Sequence, residues 1–208
     1  MQDKITRLVR AGFAGIYVVS SEEARLEKEI SAVANDLNYN LYSWSAVEGL
    51  VNPSTGEVRQ LEDPLEAAET LRDLPERTIL VLKDFHAYLD DKSQAPDPVL
   101  VRTLRDRLRA ARTEGKVMLI LGCRKLLPPE LAKEFTVIEA GLPDREMLRN
   151  IAEGIADSAG LNPAPETLDS AAEGARGLTR PGRVQKCGNR KAVSGPRNCS
   201  YCTTTPGK

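Results

Sequence analysis

Residues 14–37 read AGIYVVSSEEARLEKEISAVANDL, and this stretch decides the fold. The apolar run at residues 14–19 predicts a buried strand, and residues 22–37 carry apolar side chains at helical spacing. A strand followed at once by a helix of this length is typical of one unit of a parallel α/β sheet. The same alternation is therefore expected along the rest of the chain.

The turn between this strand and this helix is the place where nucleotide-binding α/β proteins hold phosphate. They do so with a glycine-rich loop, a lysine and a serine or threonine. Here the turn is Ser20-Ser21-Glu22-Glu23, with no glycine and no lysine. The two glutamates favour the helix dipole but repel an anion. Ser20 and Ser21 are therefore expected to be no more than remnant positions of a nucleotide site.

The remaining chain continues the alternation. Further strands are predicted at residues 41–46, 78–82, 117–121 and 136–138. Further helices are predicted near the N-terminus and at residues 64–74, 98–114, 130–134, 144–159 and 166–175. Asp3 and Asp63 are predicted helix caps, and residues 52–60 predict a hairpin or a flexible loop. We predict an α/β fold in which helices cover both faces of a parallel sheet.

Charge divides the chain into two unlike parts. It has 29 basic and 30 acidic residues, and seven of the basic but none of the acidic ones follow Thr179. The body is therefore acidic and the end is basic. Residues 178–208 have few large apolar side chains and no periodicity, so we expect a disordered tail. Its three cysteines, Cys187, Cys199 and Cys202, are one ligand short of a closed zinc site.

Composition also bears on location. No apolar run approaches the ~20 residues of a membrane helix, and the N-terminus lacks the apolar centre of a signal peptide. Cys123, the single cysteine before the tail, follows an apolar strand. This usage is typical of a reduced cytosolic protein. We expect a cytoplasmic protein with no membrane partner.

A second candidate site follows the apolar strand at residues 78–82. The sequence ILVLKD at residues 79–84 has the form of a Walker B strand, whose final aspartate holds Mg²⁺ in ATPases. The glutamate that should follow Asp84 is replaced by Phe85, and His86 comes next. A structural role for Asp84 is favoured, and a weak Mg²⁺ site shared with residues 90–91 is the alternative. We expect no catalytic residue and no metal.

Six segments, taken in order, carry a resemblance to a known family. They are IYVVSSEEARLEKEI (16–30), LYSWSAVEGL (41–50), DPLEAAETL (63–71), TILVLKDFHAYLDD (78–91), LLPPEL (126–131) and VIEAGLPDREML (137–148). With them the chain resembles a group of bacterial and plastid AAA-family ATPases. In that group a degenerate AAA-like N-terminal module precedes a second module with working Walker motifs. The resemblance covers roughly residues 1–177 and matches only the first module.

The resemblance implies a domain organisation. Residues 1–142 would form a degenerate P-loop, AAA-like α/β domain, residues 143–177 a partial helical lid, and residues 178–208 the tail. Where AAA ATPases end a central strand in a polar sensor residue, this chain has Gly122-Cys123. The break in pattern near Thr179 is interpreted as a frameshift or a truncated reading frame, with a genuine basic tail as the alternative.

The resemblance also implies a function. We expect a catalytically silent module that packs against or regulates a catalytic AAA module, in the same polypeptide or in neighbouring subunits. A homo-oligomer is a further expectation, and no cofactor is expected. The first alternative is an active ATPase that holds ATP and magnesium at Ser20, Ser21 and Asp84. The second is nucleic-acid binding through the basic tail, which is disfavoured because only Tyr201 offers an aromatic platform.

Two smaller features complete the predictions. Four arginines of the 98–114 helix are expected to form a solvated face: Arg102, Arg105, Arg109 and Arg112. Contact with nucleic acid or an acidic neighbour is the alternative for this face. Trp44 lies on an alternating strand and is expected in the core.

Overall fold

The computed structural model describes residues 1–89, 96–141 and 145–175. The chain divides into two compact units, residues 1–141 and residues 142–208. The described strands are β1 Gly15–Val19, β2 Asn40–Ser45, β3 Gly49–Asn52, β4 Glu57–Arg59, β5 Thr78–Lys83, β6 Val117–Gly122 and β7 Thr136–Glu139. The described helices are α1 Gln2–Arg10, α2 Glu23–Leu37, α3 Pro64–Thr70, α4 Pro98–Glu114, α5 Arg145–Ser158 and α6 Pro165–Gly174. Short 3₁₀ turns are at Phe85–Tyr88 and Pro129–Leu131.

One sheet organises the first unit, with strand order β4-β3-β2-β5-β6-β1-β7. The four strand pairs β2–β5, β5–β6, β6–β1 and β1–β7 are parallel, which confirms the predicted α/β fold. The hairpin of β3 and β4 adds two antiparallel strands at one edge, so the sheet is mostly rather than wholly parallel. Of the two structures predicted for residues 52–60, the hairpin is therefore the one that forms.

The core lies in two layers, one on each face of the sheet. Helices α1 and α2 cover one face, where Ile16, Leu26, Ile30 and Leu119 are buried. Helices α3 and α4 supply buried residues to the other face. Trp44 is fully buried there, as predicted, and its indole N–H donates to the Leu61 carbonyl at 2.7 Å. The strands β5 and β6 are buried on both faces, as their unbroken apolar runs predict.

Helix ends follow local capping chemistry in two of three cases. The Asp63 carboxylate accepts the amide of Leu65 at 2.9 Å, so the predicted cap of α3 is confirmed. Helix α4 spans the predicted residues because Asp97 caps it and Gly115 ends it in the left-handed conformation. The predicted cap at Asp3 is wrong. Helix α1 begins at Gln2, so Asp3 lies within its first turn, and the helix has no side-chain cap.

The second unit is described at residues 145–175, as the pair α5 and α6. Leu148, Ala172 and Ala175 form its buried contact. Arg145 and Arg149 each lie 3.7 Å from the Asp169 carboxylate. The start of the predicted lid at residues 143–144, residues 90–91 and the predicted disordered tail 178–208 lie outside the described residues. In the described part of the chain no helix is both long and apolar enough to cross a membrane.

Candidate functional site

The predicted site positions meet at the carboxyl edge of the central strands. The Ser20 amide donates to the Gly122 carbonyl, and the Asp84 amide donates to the Leu121 carbonyl, both at 2.8 Å. The ends of β1 and β5 therefore lie on either side of the end of β6. Ligands of open α/β sheets bind at this edge. The topology thus brings the turn after β1, Asp84 and the Gly122-Cys123 step into one region.

The turn after β1 is closed by its own side chains. The Ser20 hydroxyl accepts the Glu22 amide at 3.0 Å, which is a local serine turn. The Glu22 side chain is buried, and its Oε2 lies 3.0 Å from Nε of the buried Arg25. Ser21 is exposed beside them. The start of α2 therefore already holds a carboxylate, and one of its amide donors is already bonded.

Arg25 is the residue that fixes this turn. Besides Glu22, its guanidinium lies 3.3 Å from Oε1 of Glu29 and donates to the Gly141 carbonyl at 3.2 Å. Sequence reasoning missed this residue because its flanking residues follow an apolar helical pattern. The signal was available in the spacing, since Glu22, Arg25 and Glu29 are three and four residues apart on one helix.

Lys83, at the end of β5, is a second residue that sequence reasoning missed. Its ammonium group lies 2.8 Å from Glu48, 3.2 Å from Glu27 and 3.6 Å from Glu23. Burial lowers the pKa of Lys83, but the hydrogen bonds with Glu48 and Glu27 outweigh it and leave that pKa raised. The hydrogen bond from Lys83 in turn lowers the pKa of Glu48. This lysine is thus engaged by three carboxylates.

Asp84 stands exposed at the edge, in the left-handed backbone conformation with φ of 51°. Its Oδ1 lies 3.8 Å from Nδ1 of His86. His86 is buried, and its Nε2 lies 3.9 Å from Sγ of the exposed Cys123. Within the described ranges, no three His, Cys, Asp or Glu side chains are grouped so that they could hold a metal ion.

Tyr17 holds the loop that follows Cys123. Its hydroxyl donates to the Arg124 carbonyl at 2.8 Å and accepts the Leu126 amide at 3.3 Å. Burial raises the pKa of Tyr17, and the neighbouring Cys123 and Asp84 add to that rise. The phenol is therefore kept neutral and available as a donor.

The arginine face of α4 is not simply solvated. Three half-exposed arginines of the helix converge on one carboxylate, that of Glu134, which is itself only 11% exposed. The distances from Arg105, Arg109 and Arg112 are 3.5, 3.8 and 2.9 Å. The fourth, Arg102, lies 2.9 Å from Asp106. Arg102, Arg109 and Arg112 are exposed, as expected of a solvated face, and Arg105 is partly buried. Because α4 packs beside the turn that carries Glu134, three of the four also pair with that carboxylate.

Comparison with solved structures supports the fold. The chain is similar to the Holliday junction branch migration motor RuvB of Thermotoga maritima, at 14% identity and a TM-score of 0.58. That match covers 90% of this chain and 61% of RuvB. It is also similar to the replication initiator DnaA bound to AMPPCP and single-stranded DNA, at 14% identity and a TM-score of 0.56. The DnaA match covers 89% of this chain and 58% of DnaA. At this identity the likeness is one of fold alone.

Sequence relatives give the family. The chain is 28% identical over 175 residues to an uncharacterized AAA domain-containing protein, ycf46, of Guillardia theta. It is 28% identical over 180 residues to ycf46 of Trieres chinensis. These matches cover 83% and 85% of this chain, which spans about a third of the length of each relative. Residues 1–140 match the family described as "SpoVK-like AAA ATPase, N-terminal domain". The chain therefore belongs to the family of SpoVK-like AAA ATPase N-terminal domains.

Proposed function

We propose that residues 1–141 are a catalytically silent AAA-like module. Its work is to pack against and regulate a catalytic AAA module, in the same polypeptide or in neighbouring subunits of an assembly. The observation that carries this proposal is the buried pair of Glu22 and Arg25 in the turn after β1. A triphosphate placed there would meet a fixed carboxylate where AAA-type chemistry needs backbone amides and a lysine.

The charges around the turn support the same reading. Lys83, at the same edge of the sheet on β5, is bound by three carboxylates and would have to leave them to meet a phosphate. Asp84 has Phe85 rather than an acid behind it, so no carboxylate follows that could orient an attacking water. The edge therefore carries more negative than positive charge, which opposes the approach of ATP.

A regulatory role is supported by the length of this chain relative to the relatives that it matches. The chain corresponds to about a third of relatives that are named for an AAA domain. A module that keeps the AAA fold while its turn after β1 is closed to phosphate contributes a contact surface and does not hydrolyse ATP. Neighbouring AAA modules would bind to that surface. Polypeptides that contain this module would also form a homo-oligomer.

Two measurements test catalytic silence. The purified full chain with Mg²⁺ and ATP should release phosphate no faster than buffer, and a fluorescent ATP analogue should show no Mg²⁺-dependent binding. Hydrolysis that disappears in Asp84→Ala would contradict the proposal. Tight Mg²⁺-dependent binding would also contradict it and would favour an active site at Ser20, Ser21 and Asp84. That alternative is the only one in which ATP and magnesium are cofactors of this chain.

A third measurement tests the partner. The region of a ycf46 relative that this chain does not match would be produced alone, and the full chain would be added in trans. Binding, together with a change in the rate of ATP hydrolysis by that region, is expected. If the two bind but the rate of ATP hydrolysis does not change, the module packs against its partner without regulating it. If they do not bind, both packing and regulation are rejected.

A further inference from the structure

One cluster at the carboxyl edge is not used by the proposed function. The Sγ atom of Cys123 lies 3.9 Å from Nε2 of His86, and Nδ1 of the same ring lies 3.8 Å from Oδ1 of Asp84. Thiol, imidazole and carboxylate therefore stand in a row, in the order that thiol nucleophiles use. Cys123 is exposed at the outer end of the row, where a small molecule can reach it.

The imidazole is the second observation, independent of the cysteine. His86 is only 5% exposed, and among the described residues its Nδ1 has no hydrogen-bond partner. A buried polar ring normally has its nitrogens satisfied. Here the ring is held between Gly122 below it and the thiol beside it. A buried base that faces an exposed thiol indicates a site where that thiol reacts.

We propose that Cys123 is a modification site that exchanges with small-molecule disulfides, with His86 as its base. The product is a mixed disulfide on the carboxyl edge of the sheet. Cys123 is the one cysteine among the described residues, so within that part of the chain it has no second thiol to pair with. The proposal stands whether or not the module is catalytically silent.

The exchange balances without a further oxidant. The thiol proton passes from Sγ to Nε2 of His86 as Sγ attacks one sulfur of the incoming disulfide. The small molecule's S–S bond breaks, and a new bond forms between Sγ and the attacked sulfur. The other sulfur leaves as a thiolate with the electron pair of the broken bond and then takes up a proton. Cys123 is oxidised to the disulfide level, and half of the small molecule is reduced to a thiol.

Asp84 acts in this step as a positioning residue. Its carboxylate faces Nδ1, so it favours the tautomer whose proton is on Nδ1 and whose Nε2 is free to accept. It also stabilises the imidazolium that forms when the thiol loses its proton. The side chain is 68% exposed, so its replacement leaves the core intact.

The test uses the full chain with Cys187, Cys199 and Cys202 changed to serine, so that only Cys123 can react. The probe is 4,4′-dithiodipyridine, which is uncharged and is not drawn in by the adjacent Arg124 and Lys125. At pH 7 the native chain should react about tenfold faster than the same chain in urea, because only the folded chain places His86 beside Sγ to take up the thiol proton during the attack. A short cysteine peptide corrects for the effect of urea. A native rate equal to or below the unfolded rate would overturn the proposal.

Variants locate the base. His86→Ala should lose about tenfold in rate, and added imidazole should restore part of that loss, which a purely structural role of the ring does not predict. An unchanged rate in a folded His86→Ala chain would overturn the proposal. If that variant does not fold, Asp84→Asn replaces it, with about a threefold loss expected and recovery in Asp84→Glu. An unchanged rate in Asp84→Asn would overturn the proposal equally.

Discussion

The His86 ring lies directly against Gly122, where an added Cβ would come within 2.5 Å of its Nδ1. The last residue of β6 therefore packs against the 3₁₀ turn that follows β5. The glycine is needed here for space and not for an unusual backbone angle. Since the ring is buried, it has little room to move aside.

Gly122→Ala is therefore expected to destabilise the protein by about 2 kcal/mol through overpacking. Urea denaturation followed by circular dichroism measures the change. Gly141→Ala is the matched control, because an added Cβ there meets no atom of the described residues within 4 Å. In a double-mutant cycle, His86→Ala should remove most of the cost of Gly122→Ala. Additive effects of the two changes would show that the ring and the glycine are not coupled.

Lys83→Met leaves three carboxylates facing one another, those of Glu23, Glu27 and Glu48. The expected cost at pH 7 is about 1 kcal/mol, because the lysine is mostly buried while its partners are largely exposed. The exposed Lys28 of α2, changed to Met, is the control. Denaturation at pH 7 compares the two variants, and equal stabilities would mean that the cluster is energetically neutral.

The pH dependence of this cluster has a definite sign. The pKa of Glu48 is lowered from 4.5 in the folded state, so its contribution is present above that pH and is lost as the pH falls below it. The pKa of Lys83 is raised from 10.5, so its contribution is present below that pH and is lost as the pH rises above it. The stability gap between wild type and Lys83→Met should therefore be widest between these limits. A gap that grows below pH 4.5 would contradict this assignment.

Tyr17→Phe removes a buried hydroxyl that both donates and accepts a hydrogen bond. A loss of about 1 to 2 kcal/mol is expected, since the Arg124 carbonyl and the Leu126 amide lose their partner. Because the pKa of Tyr17 is raised from 10.0, the unfolded chain releases the phenol proton first as the pH rises. Wild-type stability should then fall relative to Tyr17→Phe above pH 10. Denaturation midpoints at pH 8 and pH 10.5 check this, and a constant difference would contradict it.

The sequence could predict those parts of the molecule that local chemistry determines. The strands β5 and β6 follow from continuous apolar runs, and α4 follows from Pro98 at its start and Gly115 after its end. The cap predicted at Asp3 is wrong because an acidic residue in the first turn of a helix has the same sequence pattern as a cap. The helix instead begins beside the N-terminal ammonium group, which lies 3.3 Å from Glu29.

The site was harder to predict because its contacts join distant parts of the chain. Lys83 and Glu48 are 35 residues apart, and His86 and Cys123 are 37 apart. Pattern and spacing carry no information on such pairs until the order of the strands is known. The absence of a glycine and a lysine from the turn was visible in the sequence, and the spacing of Glu22, Arg25 and Glu29 indicated their ion pairs, whereas the burial of Arg25 was not visible.

Breaking the pair of Glu22 and Arg25 tests how the turn after β1 is held. Arg25→Gln should destabilise the protein by about 3 kcal/mol, because it removes the cation that lies 3.0 Å from the buried Glu22 carboxylate. Glu22→Gln together with Arg25→Gln should cost less than Arg25→Gln alone, since the buried negative charge is then gone as well. Arg7→Gln, on the surface of α1, is the control. If Arg25→Gln were as stable as Arg7→Gln, the turn would not depend on this pair. That result would contradict the view that the pair keeps the turn after β1 closed.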